Sequence, residues 1–142
     1  MTLKGPRSCH IRLDCLGGLE TYYGVSFKSF SGIDPDTRYE VLEDGEADAS
    51  MIYSTDGELA AHEEKFVALE DDKHAFPAGN VIFVTSPEVI EKAGPDYEET
   101  IVAVQEGLTL PVVRELNAQV EVEGQDPERV AIRYLKSINF GS

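Results

Sequence analysis

The chain has 142 residues, 42% of them apolar, enough for the core of about one domain and too many for a disordered tail. Acidic side chains number 27 against 12 basic, a formal charge of −15. Nucleic acid is thereby excluded as a partner class, because phosphate contacts need clustered Lys and Arg, and an anionic membrane face is disfavoured.

The charge is uneven: residues 1–30 carry a net +2 and the remainder a net −17. A solvated acidic surface accounts for this, and attraction of a cationic solute is the functional reading; composition does not choose between them. There is no apolar run long enough for a membrane span and no basic n-region followed by an apolar stretch, so no signal peptide is visible. Cys9 and Cys15 are not spaced as CxxC, and a local bridge and free thiols both fit. His10, His62 and His74 lack the i, i+4 spacing of a helical metal site, and no cofactor is called for.

In chain order, Thr2–Ile11 reads as a short strand or loop entry. Leu16–Tyr23 has apolar residues at helical offsets, with Gly24 as its stop. Val25–Phe30 alternates like a strand, Asp34-Pro35 opens a short helix over Asp36–Leu42, and Gly45 ends it. Ala47–Tyr53 reads as a buried strand, and Ser54-Thr55-Asp56-Gly57 as a turn before a helical turn at Glu58–Glu64. Phe66–Leu69 and Val81–Val84 read as short strands around an irregular Asp71–Gly79.

From Ser86 onward the pattern is helical. Ser86-Pro87 opens one helix and Gly94 stops it; Pro95–Gln105 is a second; Thr109 caps a third; Asp126-Pro127 opens a fourth. In the last, Val130, Ala131, Tyr134, Leu135 and Ile138 form a core-facing stripe. Four helices have too little to pack on if two short strands are their only support, which points to a missing partner or segment.

Several ordered segments together resemble the substrate-binding proteins of ABC transporters for quaternary amines: glycine betaine, proline betaine, choline and carnitine. They are Arg12-Leu13-Asp14-Cys15-Leu16-Gly17-Gly18-Leu19 with Tyr23-Gly24; Gly45–Asp48 with Tyr53–Gly57; Leu69–His74 running to Phe76-Pro77; Leu108-Thr109 through Asn117, Val120 and Glu121; and Asp126-Pro127 through Leu135. The resemblance implies an α/β fold of the periplasmic-binding-protein type II kind. Residues 1–64 would be a second-lobe subdomain, and residues 65–142 a returning hinge strand near Phe66–Leu69 with the C-terminal part of the first lobe. The N-terminal part of the first lobe would be absent.

The implied chemistry is capture without catalysis. A quaternary ammonium ion has no hydrogen-bond donor and is held by aromatic faces through cation–π attraction; a betaine carboxylate is held by an arginine fork. By resemblance Arg12 takes the carboxylate and Tyr53 forms a cage wall, with Asp14 and Thr55 as further ligand-binding candidates. Partners would be a quaternary ammonium solute and an ABC permease, at an extracytoplasmic address.

The chain departs from the family pattern where Phe76-Pro77-Ala78-Gly79-Asn80 lacks the aromatic expected at Gly79, where Cys15 replaces a glycine, and where about two extra residues separate Gly57 from Leu69. With part of the cage absent, the chain by itself is expected to bind solute weakly or not at all. A remnant that buries its orphan surface by homodimerising or domain swapping is the alternative. A cysteine enzyme is disfavoured, because adjacent Cys9 and His10 on a strand would point to opposite faces. Tyr22, Tyr23 and Tyr39 read as packing residues, and the acids of Asp71–His74 as acceptors for loop N–H groups.

Overall fold

A computed structural model describes residues 1–77, 79 and 81–140 of the chain. The chain folds as two units, Met1–Tyr53 with Val67–Ala78, and Ser54–Phe66 with Gly79–Ser142. The backbone therefore passes between units at 53/54, 66/67 and 78/79.

In the first unit, β1 (Thr2–Pro6) lies between β2 (Ser29–Ile33) and β3 (Ala49–Ser50), all parallel, in the order β2-β1-β3. Parallel neighbours need crossover connections. Here they are built from α1 (Leu16–Gly18), its π-helical continuation Leu19–Tyr23, a 3₁₀ turn at Pro35–Thr37 and α2 (Glu40–Glu43). Gly24 and Gly45 end the two helical stretches at φ 65° and 69°, the left-handed region that an L side chain resists. Val41 of α2 is buried, as its short amphipathic pattern predicts.

The core of this unit is small: Leu3, Cys9, Cys15 and Leu16, with Leu19, Phe27, Phe30, Ala49 and Met51 packed around them. Cys9 and Cys15 are joined in a disulfide, Cα atoms 5.2 Å apart, which closes the sequence alternative in favour of the bridge.

The second unit is helical: α3 (Gly57–Ala61), α4 (Pro87–Ala93), α5 (Asp96–Glu106), α6 (Leu110–Glu121) and α7 (Pro127–Ser137). The start of α3 presses on α6 so closely that a Cβ built on Gly57 falls 2.7 Å from the Ala118 Cα. Polar bonds lock the same crossing: Gly57 N–H donates to Glu121 Oε2 at 3.1 Å and Asn117 Nδ2 to the Thr55 carbonyl at 2.7 Å. Asp126 caps α7 by accepting from Arg129 N–H at 3.0 Å. Along the predicted stripe, Val130 is buried and Tyr134, Leu135 and Ile138 are half-buried, whereas Ala131 is exposed.

Strand expectations fare less well. The second strand lies at Ser29–Ile33, not Val25–Phe30, and only Ala49–Ser50 of Ala47–Tyr53 is paired. The hinge strand expected at Phe66–Leu69 and the strand at Val81–Val84 are irregular, with Val67 86% and Val84 87% exposed. A β-branched run becomes a strand only when a neighbouring edge satisfies its N–H and C=O groups. Among the described residues neither run has such an edge.

Candidate functional site

Three parallel strands run the same way, so their carboxyl ends line one edge of the sheet. In the order β2-β1-β3 the connection leaving β2 passes over β1 to reach β3. This makes the carboxyl ends of β1 and β3 a topological switch point, where open α/β sheets hold ligands. Arg12 follows β1 after the 3₁₀ segment Arg7–Ile11, and Tyr53 follows β3. Arg38 follows β2 after the turn at Pro35–Thr37.

The Arg12 loop is pinned at both ends by the Cys9–Cys15 disulfide, and its backbone N–H donates to the Cys9 carbonyl at 3.3 Å. Both cysteines are buried while Ile11 and Leu13 are 85% and 82% exposed, so the bridge anchors a loop displayed to solvent. Asp14 grips the exposed guanidinium with both oxygens, Nε donating at 2.7 Å and Nη2 at 2.5 Å. That hydrogen bonding, and then the charge of Asp14, raises the Arg12 pKa above its ordinary value, and Tyr53 adds a smaller electrostatic pull of the same sign. Reciprocally, the bond from Arg12 lowers the Asp14 carboxyl below the usual carboxylate range.

Tyr53 differs from its expected setting. It lies beyond β3 and is 59% exposed, because the strand ends at Ser50 and no longer buries it. One ring face carries the Arg38 guanidinium, whose Cζ lies 5.0 Å from the ring centroid. Arg12, Asp14 and Tyr53 thus lie within electrostatic reach of one another in the first unit. Thr55 belongs to the second unit, where its carbonyl accepts from Asn117. Of the segment in which the family aromatic is expected, Ala78 and Asn80 lie outside the described residues, and a Cβ on Gly79 would meet nothing within 4 Å.

Arg38 is absent from the candidates because a ring–guanidinium pair 15 positions apart leaves no local pattern. A second network ties the Asp71–Phe76 loop to the π-helical segment. Tyr23 donates to Asp71 Oδ1 at 2.5 Å, and Asp71 also accepts from the N–H groups of Ala75 and Phe76 at 2.9 and 2.8 Å. Lys73 donates from Nζ to the Tyr22 carbonyl at 2.9 Å, and Nζ lies 5.1 Å from the Tyr23 ring centroid. Partial burial and then the bond to Asp71 raise the Tyr23 phenol to about 12. The bond from Tyr23 lowers Asp71 below the carboxylate range. Here Asp71 caps a loop, as its sequence reading has it.

Among the described residues no helix is long and apolar enough to cross a membrane. Residues 2–137 match the model of a family described as the substrate binding domain of the ABC-type glycine betaine transport system. A glycine-betaine-binding protein of Pseudomonas aeruginosa is 31% identical over 127 residues, covering 88% of this chain and 40% of the relative. The carnitine transport binding protein OpuCC of Listeria monocytogenes is 25% identical over 118 residues, covering 83% and 37%. A crystal structure of a glycine betaine/carnitine/choline ABC transporter superposes with a TM-score of 0.76 at 25% identity, over 96% of this chain and 49% of that one. Apo YehZ from Escherichia coli shares the fold at a TM-score of 0.64 and 24% identity, covering 96% and 50%. The fold is thus the α/β fold of substrate-binding proteins, and the chain spans about 40% of the curated relatives and about half of the solved structures.

Proposed function

The chain belongs to the family of substrate-binding domains of ABC-type glycine betaine transport systems, and from that membership we propose that it carries one wall of a solute cleft for a quaternary ammonium compound of betaine, carnitine or choline type. The first unit corresponds to most of the receptor's second lobe, and the second unit to the returning connection and C-terminal part of the first lobe. The chain spans about 40% of the curated relatives' length, and the proposal is confined to the part of the cleft that it corresponds to. The role is capture and delivery to an ABC permease, with no bond made or broken in the solute.

The observation that supports this reading is that Arg12 and Tyr53, which follow β1 and β3 in the first unit, lie within electrostatic reach of one another. Tyr53 offers an aromatic face to a diffuse cation, and Arg12 offers N–H donors to a carboxylate. Asp14 takes the Nε–Nη2 edge, so a solute carboxylate meets the other edge. Thr55 is proposed as a further ligand contact on the family resemblance. An extracytoplasmic address is supported by the buried disulfide, which persists in oxidising compartments.

The test is an NMR titration of the 142-residue chain with glycine betaine. Weak, millimolar binding that shifts the Tyr53 ring protons and the Arg12 Nε–H is expected; saturation without movement of either signal would remove the assignment. A second reading, self-association of a partial fold, is favoured by the exposed apolar run Val81–Val84. Sedimentation equilibrium decides it: a concentration-independent monomer ends that alternative.

A further inference from the structure

Arg12 stands in a loop whose backbone is braced at several points. The partner that grips its guanidinium, Asp14, belongs to the same loop, so the pair takes its place from the loop backbone. The Cys9–Cys15 bridge closes that loop over a sequence separation of 6 and sets both cysteines in the core beside Leu3 and Leu16. From the far side, the Gly17 N–H donates to the Arg12 carbonyl at 3.4 Å, and a Cβ on Gly18 would fall 2.8 Å from the Leu13 carbonyl, so α1 abuts the loop. The His10 ring stacks on Phe30 of β2, centroids 5.8 Å apart. Cys15 stands where the family pattern has glycine, so its sulfur is no part of the resemblance.

We infer that Cys9 and Cys15 are positioning residues of the solute site: their bridge presets the Arg12–Asp14 pair for a solute carboxylate, and so sets how strongly zwitterionic solutes are preferred over bare cations. The inference rests on the proposed solute site and deepens it. Engaging a carboxylate fixes a long, flexible side chain and the loop beneath it. A side chain ordered only on binding costs about two- to tenfold in affinity. The bridge shifts that ordering from the binding step to the folding step. A tetraalkylammonium ion has no carboxylate for Arg12 and gains nothing from the shift. The bridge therefore acts on one half of the solute, through Arg12, without touching it.

The experiment uses NMR on the 142-residue chain, with glycine betaine and tetramethylammonium as probes. In the solute-free wild type the Arg12 Nε–H is expected to be ordered, with an order parameter above the value of about 0.6 that marks flexible groups. The double variant Cys9→Ala with Cys15→Ala keeps the core apolar and removes the bridge. There the order parameter should fall below that value. The ratio of glycine betaine to tetramethylammonium affinity should fall about two- to tenfold, with tetramethylammonium binding little changed. In an Arg12→Gln background the same double replacement should leave the ratio unchanged, a result that loss of stability alone does not give. A mobile Arg12 Nε–H in the bridged wild type would overturn the inference; this measurement needs no variant and holds even if the double alanine chain fails to fold. An unchanged order parameter or ratio in the folded double variant, or an equal fall in the Arg12→Gln background, would overturn it and leave the solute site standing. Absence of any Arg12 or Tyr53 response to either probe in the wild type would overturn the solute site, and this inference with it.

Discussion

If Arg12 and Tyr53 take different halves of one solute, as proposed, substitution separates them. Arg12→Gln is expected to weaken glycine betaine binding by about tenfold or more, since a charge-assisted bond is lost, while tetramethylammonium binding changes little. Tyr53→Leu is expected to weaken both by about two- to thirtyfold. Parallel NMR titrations check this; equal losses for both solutes in Arg12→Gln would count against a carboxylate role. The Tyr23–Asp71 bond makes a pH prediction for the first unit. Folded Asp71 titrates below its unfolded value, so its contribution is present at neutral pH and is lost as the pH falls through the folded value. Tyr23 is raised to about 12, so its contribution is full below the unfolded phenol range and declines as the pH rises from about 10 toward 12. Near-ultraviolet circular dichroism melts across this range should show the alkaline decline, and Tyr23→Phe should remove it.

At the scale of elements, two close approaches invite test. The α3–α6 crossing has no room for a side chain at Gly57, so Gly57→Ala should destabilise the protein by about 1–3 kcal/mol through overpacking. The Cys9–Cys15 bridge closes a short loop, and replacing both cysteines by serine should cost about 2 kcal/mol on the chain-entropy account, with added loss from two polar groups in the core. Urea denaturation measures both. The elements also explain what was legible. Helix ends are announced locally: Asp126-Pro127 caps α7, Pro87 opens α4 and Gly94 stops it at φ 93°, all as their residue types imply. Strands need partners remote in sequence, so Val81–Val84 carries strand composition without a strand, and β3 is shorter than its apolar run. Arg12 and Tyr53 are candidates only through ordered motifs. Arg38 and the Tyr23–Asp71 bond, spanning 48 positions, had no local signal at all.

At the scale of the whole molecule, 96% of the chain lies on a solved structure of which it covers 49%. Its exposed apolar stretches, Val67–Leu69 and Val81–Val84, are surfaces of the kind that mark interaction sites. On this account, affinity for a quaternary ammonium solute is divided between this chain and the polypeptide that completes the cleft. The most direct test is calorimetry with glycine betaine on the 142-residue chain, and on a hybrid that adds to its N-terminus the complementary portion of the Pseudomonas aeruginosa glycine-betaine-binding protein. The account predicts no micromolar binding by the chain alone and micromolar binding by the hybrid, lost again in Tyr53→Leu. Micromolar binding by the chain alone, or a folded hybrid that binds no better than the chain, would contradict it.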